Sequence, residues 1–209
     1  WTGTKDGCYF KAKKNKADPE KLKWIKEFPG QLLITAGMMH FVKNCEDALR
    51  NKEAPVRQLK KRKKWQVELL TKLAEIVRER LDKVSRKKVV ALITMEIHAR
   101  DVMDRMIKAH CDSVDDFEWL SQLRIEPVSA RTEDMPYGTL AAKQTKSTLE
   151  FGFEYQGNNG RLVVTPLTDR CVLTLTTALY MQRGGAPAGP AGTGKTETTK
   201  DLAKAMAIQ

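Results

Sequence analysis

The sequence lacks any close pair of cysteines. Its four, Cys8, Cys45, Cys111 and Cys171, are scattered. With neither a CxxC nor a histidine at ligand spacing, they frame no zinc module and no disulfide scaffold, so a reduced, cytosolic-type compartment is expected. No apolar run reaches the about 18 residues that cross a bilayer, and no charged, apolar and small-residue leader stands at the start. The chain opens on Trp1 and not on Met. An internal piece of a soluble protein is therefore expected, with no membrane partner. Also missing are the exposed aromatics that interleave with basic side chains in nucleic-acid binders, and any recognisable reading motif.

Positive charge is abundant. The net charge is +11, with Lys and Arg crowding residues 5–26 and 52–88, including the run Lys60, Lys61, Arg62, Lys63 and Lys64. Such a balance is compatible with nucleic acid or an anionic surface. Its helical periodicity reads instead as the solvated face of long helices, and no nucleic-acid partner is expected.

With 209 residues, 41% of them hydrophobic, the chain has enough to bury one sizeable core or two small ones. Apolar residues recur at three- and four-residue steps from Leu59 through Trp65, Leu69, Leu73, Ile76 and Leu81 to Val84, which predicts one amphipathic helix over 56–84. A second begins near Arg86 and ends before Asp112; an earlier one runs from Gln31 to Arg50 behind the punctuation of Pro29-Gly30. Helix packs on helix in this half. His98 and Asp101, three apart on one face, read as a structural hydrogen-bonded pair, because no nucleophile or metal partner accompanies them.

After Trp119 the helical stripe is lost, and Pro127, Pro136, Gly138 and the polar run 143–148 suggest a linker or short strands. Phe151, Phe153 and Tyr155 alternate with Gly152 and Glu154, which predicts a short strand closed by the turn Gly157-Asn158-Asn159-Gly160. Arg161 to Thr165 reads as extended chain that Pro166 ends. A helix follows, capped by Thr168 or Asp169. This half reads as the opening of an α/β unit.

Gly189-Pro190-Ala191-Gly192-Thr193-Gly194-Lys195-Thr196 satisfies GxxxxGK[ST] at every fixed position. The glycines let the backbone curl so that successive amides face a polyphosphate. Lys195 is placed to reach the β and γ phosphates and Thr196 to offer its hydroxyl to Mg²⁺. Residues 197–206 have helical composition, which sets a positive helix end beneath the phosphates. The preceding Gly184-Gly185-Ala186-Pro187-Ala188 is poor in β-branched residues, so its strand is expected to be short or atypical. No apolar strand with paired acidic residues follows to hold the metal and activate water, so no catalytic residue is assigned and the piece alone is not expected to turn over nucleotide.

These residues resemble the dynein heavy chains. Phe153 to Cys171 is similar to that family's entry into its first AAA+ module, and Gly184 to Leu202 is similar to the module's phosphate loop and following helix. Upstream, Trp24 to Pro29, Gln31, His98-Ala99-Arg100-Asp101 and Phe117 to Arg124 are similar to the C-terminal part of the family's linker, in matching order. Ile125 to Asp134 departs from the aromatic-rich strand usual there, and residues 1–20 carry no motif on which a resemblance can be argued.

The resemblance implies a mostly α-helical linker region followed by the beginning of an α/β P-loop AAA+ module, as a fragment of a larger chain: a helical lever over 1–125, a strand and loop transition over 126–160, and the module's start over 161–209. It implies a minus-end-directed microtubule motor whose linker is moved by ATP hydrolysis, with ATP or ADP and Mg²⁺ as ligands. Residues 189–196 would bind phosphates and, through Thr196, the metal, while Val164, Thr165, Pro166 and Leu167 would line the adenine pocket. Without the resemblance, 163–167 reads as an ordinary buried strand end. Implied partners are the microtubule, intermediate and light chains and other heavy chains, in the cytoskeleton of a cilium or flagellar axoneme. The linker style is axonemal, with an outer-arm or a cytoplasmic chain left open. The competing reading is another P-loop ATPase whose basic helical region binds nucleic acid or protein.

Overall fold

The computed structural model describes residues 19–51, 53–128, 139–158 and 160–208. Cys8, Pro136, Gly138, Asn159 and residues 1–18, all considered above, lie outside them. The first half is helical: α1 Pro19–Glu27, α2 Gly30–Leu49, α3 Pro55–Arg78, α4 Lys83–Lys108 and the short α5 Phe117–Leu120. No helix among the described residues is long and apolar enough to cross a membrane.

The single helix expected over 56–84 is two helices. Pro55 opens α3 at its first turn, where a missing N–H costs nothing. The helix stops at Glu79, whose ψ of 168° is extended. Asp82 then caps α4 by accepting from the Ser85 N–H at 3.1 Å. Arg86 donates to the carbonyl oxygens of Val77 (2.9 Å) and Glu79 (3.3 Å), satisfying acceptors that the end of α3 leaves open. Leu81 thus falls in the connection and Val84 in the first turn of α4. The stripe ran on through the break because the two helices bury the same kind of face.

The helices α3 and α4 form an antiparallel pair, for Lys63 meets Asp104 and Gln66 meets Glu96. Buried Lys88 of α4 sends its ammonium to the carbonyl oxygens of Ile25 (3.2 Å), Lys26 (3.3 Å) and Phe28 (2.7 Å), so a cation closes the carbonyl end of α1. The basic run is divided: Lys60, Lys61 and Lys64 face solvent, while Lys63 turns to Asp104.

Downstream, β1 Arg124–Val128, β2 Thr139–Gln144 and β3 Ser147–Glu150 form an antiparallel sheet in that order. Ile125 stands opposite Ala142, and Gln144 opposite Ser147. Part of the polar run 143–148 is therefore a hairpin, turned at Thr145, which adopts a left-handed φ of 50°. No Gly or Asn marks that turn, so it gave no sequence signal. The last helices are α6 Pro166–Tyr180 and α7 Lys195–Ala205.

Three apolar clusters result among the described residues. Leu69, Leu73, Ile76, Val89 and Leu92 join Trp24, Ile25 and Leu33 in one. Leu59, Val102, Met103, Met106 and Trp119 join Val42, Cys45 and Leu49 in the second. The third binds Ile125 and Ala142 of the sheet to Phe151, Leu175 of α6 and Leu202 of α7, with Met38 and Met39 packed against it. Helix α2 contributes to all three. Cys45 and Cys111 are buried thiols; burial pushes both pKa values up, Cys111 to about 11, which suits packing and not reactivity.

Candidate functional site

The GxxxxGK[ST] loop lies open to solvent at the start of α7. Gly194 is the N-cap with φ 80°, and Gly192 has φ 77°. Both are left-handed, which an L side chain adopts only under strain. The loop is braced from within: the Thr193 hydroxyl donates to the Pro190 carbonyl at 2.9 Å. The Lys195 ammonium folds back to the carbonyls of Gly189 (2.8 Å) and Pro190 (2.5 Å). Thr196 sits in the first turn, exposed. Thr198 and Thr199 bond back to the carbonyls of Gly194 (3.0 Å) and Lys195 (3.2 Å). The opening amides of α7 have no acceptor within the helix. Together with an ammonium on the loop's own face, they form a donor set fitted to a phosphate chain. Before the loop, residues 184–188 form no strand; Gly185 lies so close to Leu175 of α6 that a Cβ there would stand 2.5 Å from the Leu175 Cδ2.

Thr165, Pro166 and Leu167 are exposed and Val164 is half-buried. Thr165, not Thr168 or Asp169, caps α6: its hydroxyl accepts from the Thr168 N–H at 3.3 Å, the Thr168 hydroxyl accepts from the Thr165 N–H at 2.8 Å, and Pro166 opens the helix. In this reciprocal box both threonines are cap-type residues, so the sequence alone does not tell the N-cap from the residue three positions on. Leu167 is 78% exposed and Val163 69%, so this segment is not a buried strand end.

One ion pair fixes that segment to α7. Arg161 donates from Nε to Asp201 Oδ1 at 2.9 Å and from Nη2 to Oδ2 at 3.0 Å, while Oδ1 also accepts the Leu162 N–H at 3.2 Å. The two side chains are 9% and 14% exposed. Nothing in the sequence marks this pair, which is 40 residues apart.

Further contacts tie the site to the helical half. Gly30 donates its N–H to Asn158 Oδ1 at 2.8 Å. Gln31 donates to the Glu154 carbonyl at 2.7 Å and accepts from the Gln156 N–H at 2.8 Å. Arg105 of α4 meets Asp169 of α6 at 2.9 Å and Gln122 at 3.3 Å. The strand expected over 151–155 does not form, since Phe153 has a left-handed φ of 57°. Instead the amides of Gly152 and Glu154 donate to the carbonyls of Met206 (2.9 Å) and Ala207 (3.0 Å), just beyond α7. The expected His98–Asp101 pair is also replaced: Asp101 is held by its neighbour Arg100 at 2.7 Å. Burial lowers the pKa of His98, opposed by the Asp169 carboxylate.

Residues 151–209 match the family described as the hydrolytic ATP binding site of the dynein motor region. The chain is 48% identical over 204 residues to the dynein-1-beta heavy chain of the flagellar inner arm I1 complex of Chlamydomonas reinhardtii, covering 98% of this chain and 4% of that protein. It is 45% identical over 205 residues to human dynein axonemal heavy chain 2, covering 96% and 4%. To mouse dynein axonemal heavy chain 1 it is 44% identical over 196 residues, covering 93% and 4%. The chain thus spans about 4% of the length of these relatives. The likeness runs through the helical half as well as the loop-bearing half, and on that ground the chain belongs to the dynein heavy-chain family.

Proposed function

We propose that this chain is the junction between the lever and the engine of an axonemal, microtubule-based, minus-end-directed motor. Residues 1–125 serve as the C-terminal part of the linker, 126–160 as the transition, and 161–209 as the start of the first AAA+ module. The observation that carries this reading is a GxxxxGK[ST] loop at a helix N-terminus inside a stretch 48% identical to a dynein heavy chain. The inner-arm name of the Chlamydomonas relative favours an inner-arm position over an outer-arm one. The microtubule, intermediate and light chains and other heavy chains are the partners.

ATP binds with its phosphates over residues 189–196 and its adenine against Val164, Thr165, Pro166 and Leu167. The opening amides of α7 and the left-handed backbone at Gly192 and Gly194 present N–H groups to the phosphate oxygens. Lys195 exchanges its loop carbonyls for the β and γ phosphates. Thr196 would hold Mg²⁺, which would offset the phosphate charge there. Water activation and arginine-finger chemistry come from outside these residues, so the isolated stretch binds without turnover.

In the complete heavy chain, Lys195→Ala is expected to lower ATP turnover about 100-fold, the scale on which losing a preorganised charge partner acts. Microtubule gliding should stop with it. Unchanged turnover and gliding would remove the phosphate loop from the mechanism.

A further inference from the structure

We infer that Arg161 and Asp201 are positioning residues for the nucleotide, a role that rests on the phosphate-loop reading above and adds to it. The two halves of the site are carried by different pieces of backbone. The phosphate side, 189–196, belongs to the start of α7. The adenine side, 164–167, lies at the end of an extended segment and the start of α6.

No sheet ladder holds 161–165 among the described residues. Beside the apolar packing of α6 on α7, the hydrogen bonds that link 161–165 to α7 among the described residues all go to one carboxylate, which accepts three donors, two from the Arg161 fork and one from the Leu162 N–H. Asp201 stands six residues after Lys195, almost two turns into α7. That is too deep to cap the helix or to benefit from its positive end. An acidic residue there, 14% exposed, is accounted for by the chain it holds. A forked, charge-assisted contact fixes both distance and orientation, so Leu162 moves with α7 as one body and Val164 follows two residues on. The pair touches neither phosphate nor adenine. Its effect is to set the span between their subsites.

The test uses the complete heavy chain. The KM for ATP and the inhibition constant of inorganic tripolyphosphate are measured for the unaltered chain, Asp201→Ala, Arg161→Lys and Lys195→Ala. Tripolyphosphate engages the loop alone, whereas ATP needs both halves in register. Asp201→Ala is expected to raise the KM for ATP about tenfold, as loss of a charged hydrogen-bonded contact does, with kcat and the tripolyphosphate constant each within about twofold. Arg161→Lys keeps the charge and loses the fork; it should move the same ratio in the same direction by less. Equal weakening of both ligands, or no change in either, overturns the positioning role. Should Asp201→Ala fail to fold, Arg161→Lys decides on the same ratio. If Lys195→Ala weakens neither ligand, it is the phosphate-loop reading that fails.

Discussion

Glu96 is a carboxyl that the fold takes out of water. It is 7% exposed on α4 and accepts from the Gln66 amide of α3, and burial raises its pKa from 4.5 to about 8. A raised native pKa means that the folded state binds the proton more tightly than the unfolded chain. The stability linked to this group is therefore complete below about pH 4.5 and is lost as pH rises through about 8. Thermal unfolding followed from pH 5 to pH 9 should show this decline, and Glu96→Gln should flatten it while keeping the contact with Gln66. Gly30 tests a different constraint. A Cβ there would stand 2.5 Å from Asn158 Oδ1, which already accepts the Gly30 N–H. Gly30→Ala should cost about 1–2 kcal/mol, the range for displacing a partly buried hydrogen-bond partner, read as a lower midpoint in denaturant. The sequence marked Gly30 as punctuation before a helix and gave no hint of Asn158, because only the folded chain brings residues 128 apart together.

Among elements, the long helices were legible, whereas of the sheet only short strands after Trp119 were, and not their bounds or pairing. A periodic apolar stripe predicts a helix because its burial is decided along one face, as with Leu69, Leu73 and Ile76 in α3. The same stripe concealed the break at 79–82, where a local capping contact overrides a pattern that continues across it. Leu73 is 1% exposed in the cluster that joins α1, α2, α3 and α4. Leu73→Ala should cost about 2–5 kcal/mol through the cavity it leaves, measured by equilibrium unfolding, with much less expected for the half-exposed Val67→Ala. The hairpin at 145–146 and the missing strand at 151–155 have a common cause. Thr145 and Phe153, neither of them glycine, adopt left-handed backbone, which composition does not announce. The loop at 189–196 was legible as a pattern, together with the helix it opens, because the pattern occupies consecutive residues. Its brace from Arg161 to Asp201 was not, because an ion pair distant in sequence leaves no pattern in either segment.

For the whole molecule, the question is how the helical half and the loop-bearing half are joined. Met38 and Met39 of α2 pack against the cluster containing Leu175 and Leu202, and polar contacts surround this apolar seam at Gly30, Gln31 and Arg105. Arg105→Ala removes one of these, the pair with Asp169, whose partners are 35% and 23% exposed. Partial exposure keeps the stability cost small. The expected signature is local: faster amide hydrogen exchange in the first turns of α6, with α3 and the α3-facing amides of α4 unchanged. Uniform acceleration over both halves would show that the pair supports the fold and not this junction.

The amides of Gly152 and Glu154 on the carbonyls of Met206 and Ala207, followed by Gln156 and Asn158 on the first turn of α2, have a mechanical consequence. Tension drawn through the start of α2 passes in series through these short bridges to the far end of α7, the end opposite the loop. Bonds strung in series share one load and yield at the weakest member, whereas bonds side by side divide it. The route from helix to loop is therefore a chain whose yield force is set by these short bridges, with the apolar seam around Met38 and Met39 acting as the parallel strut that stiffens it.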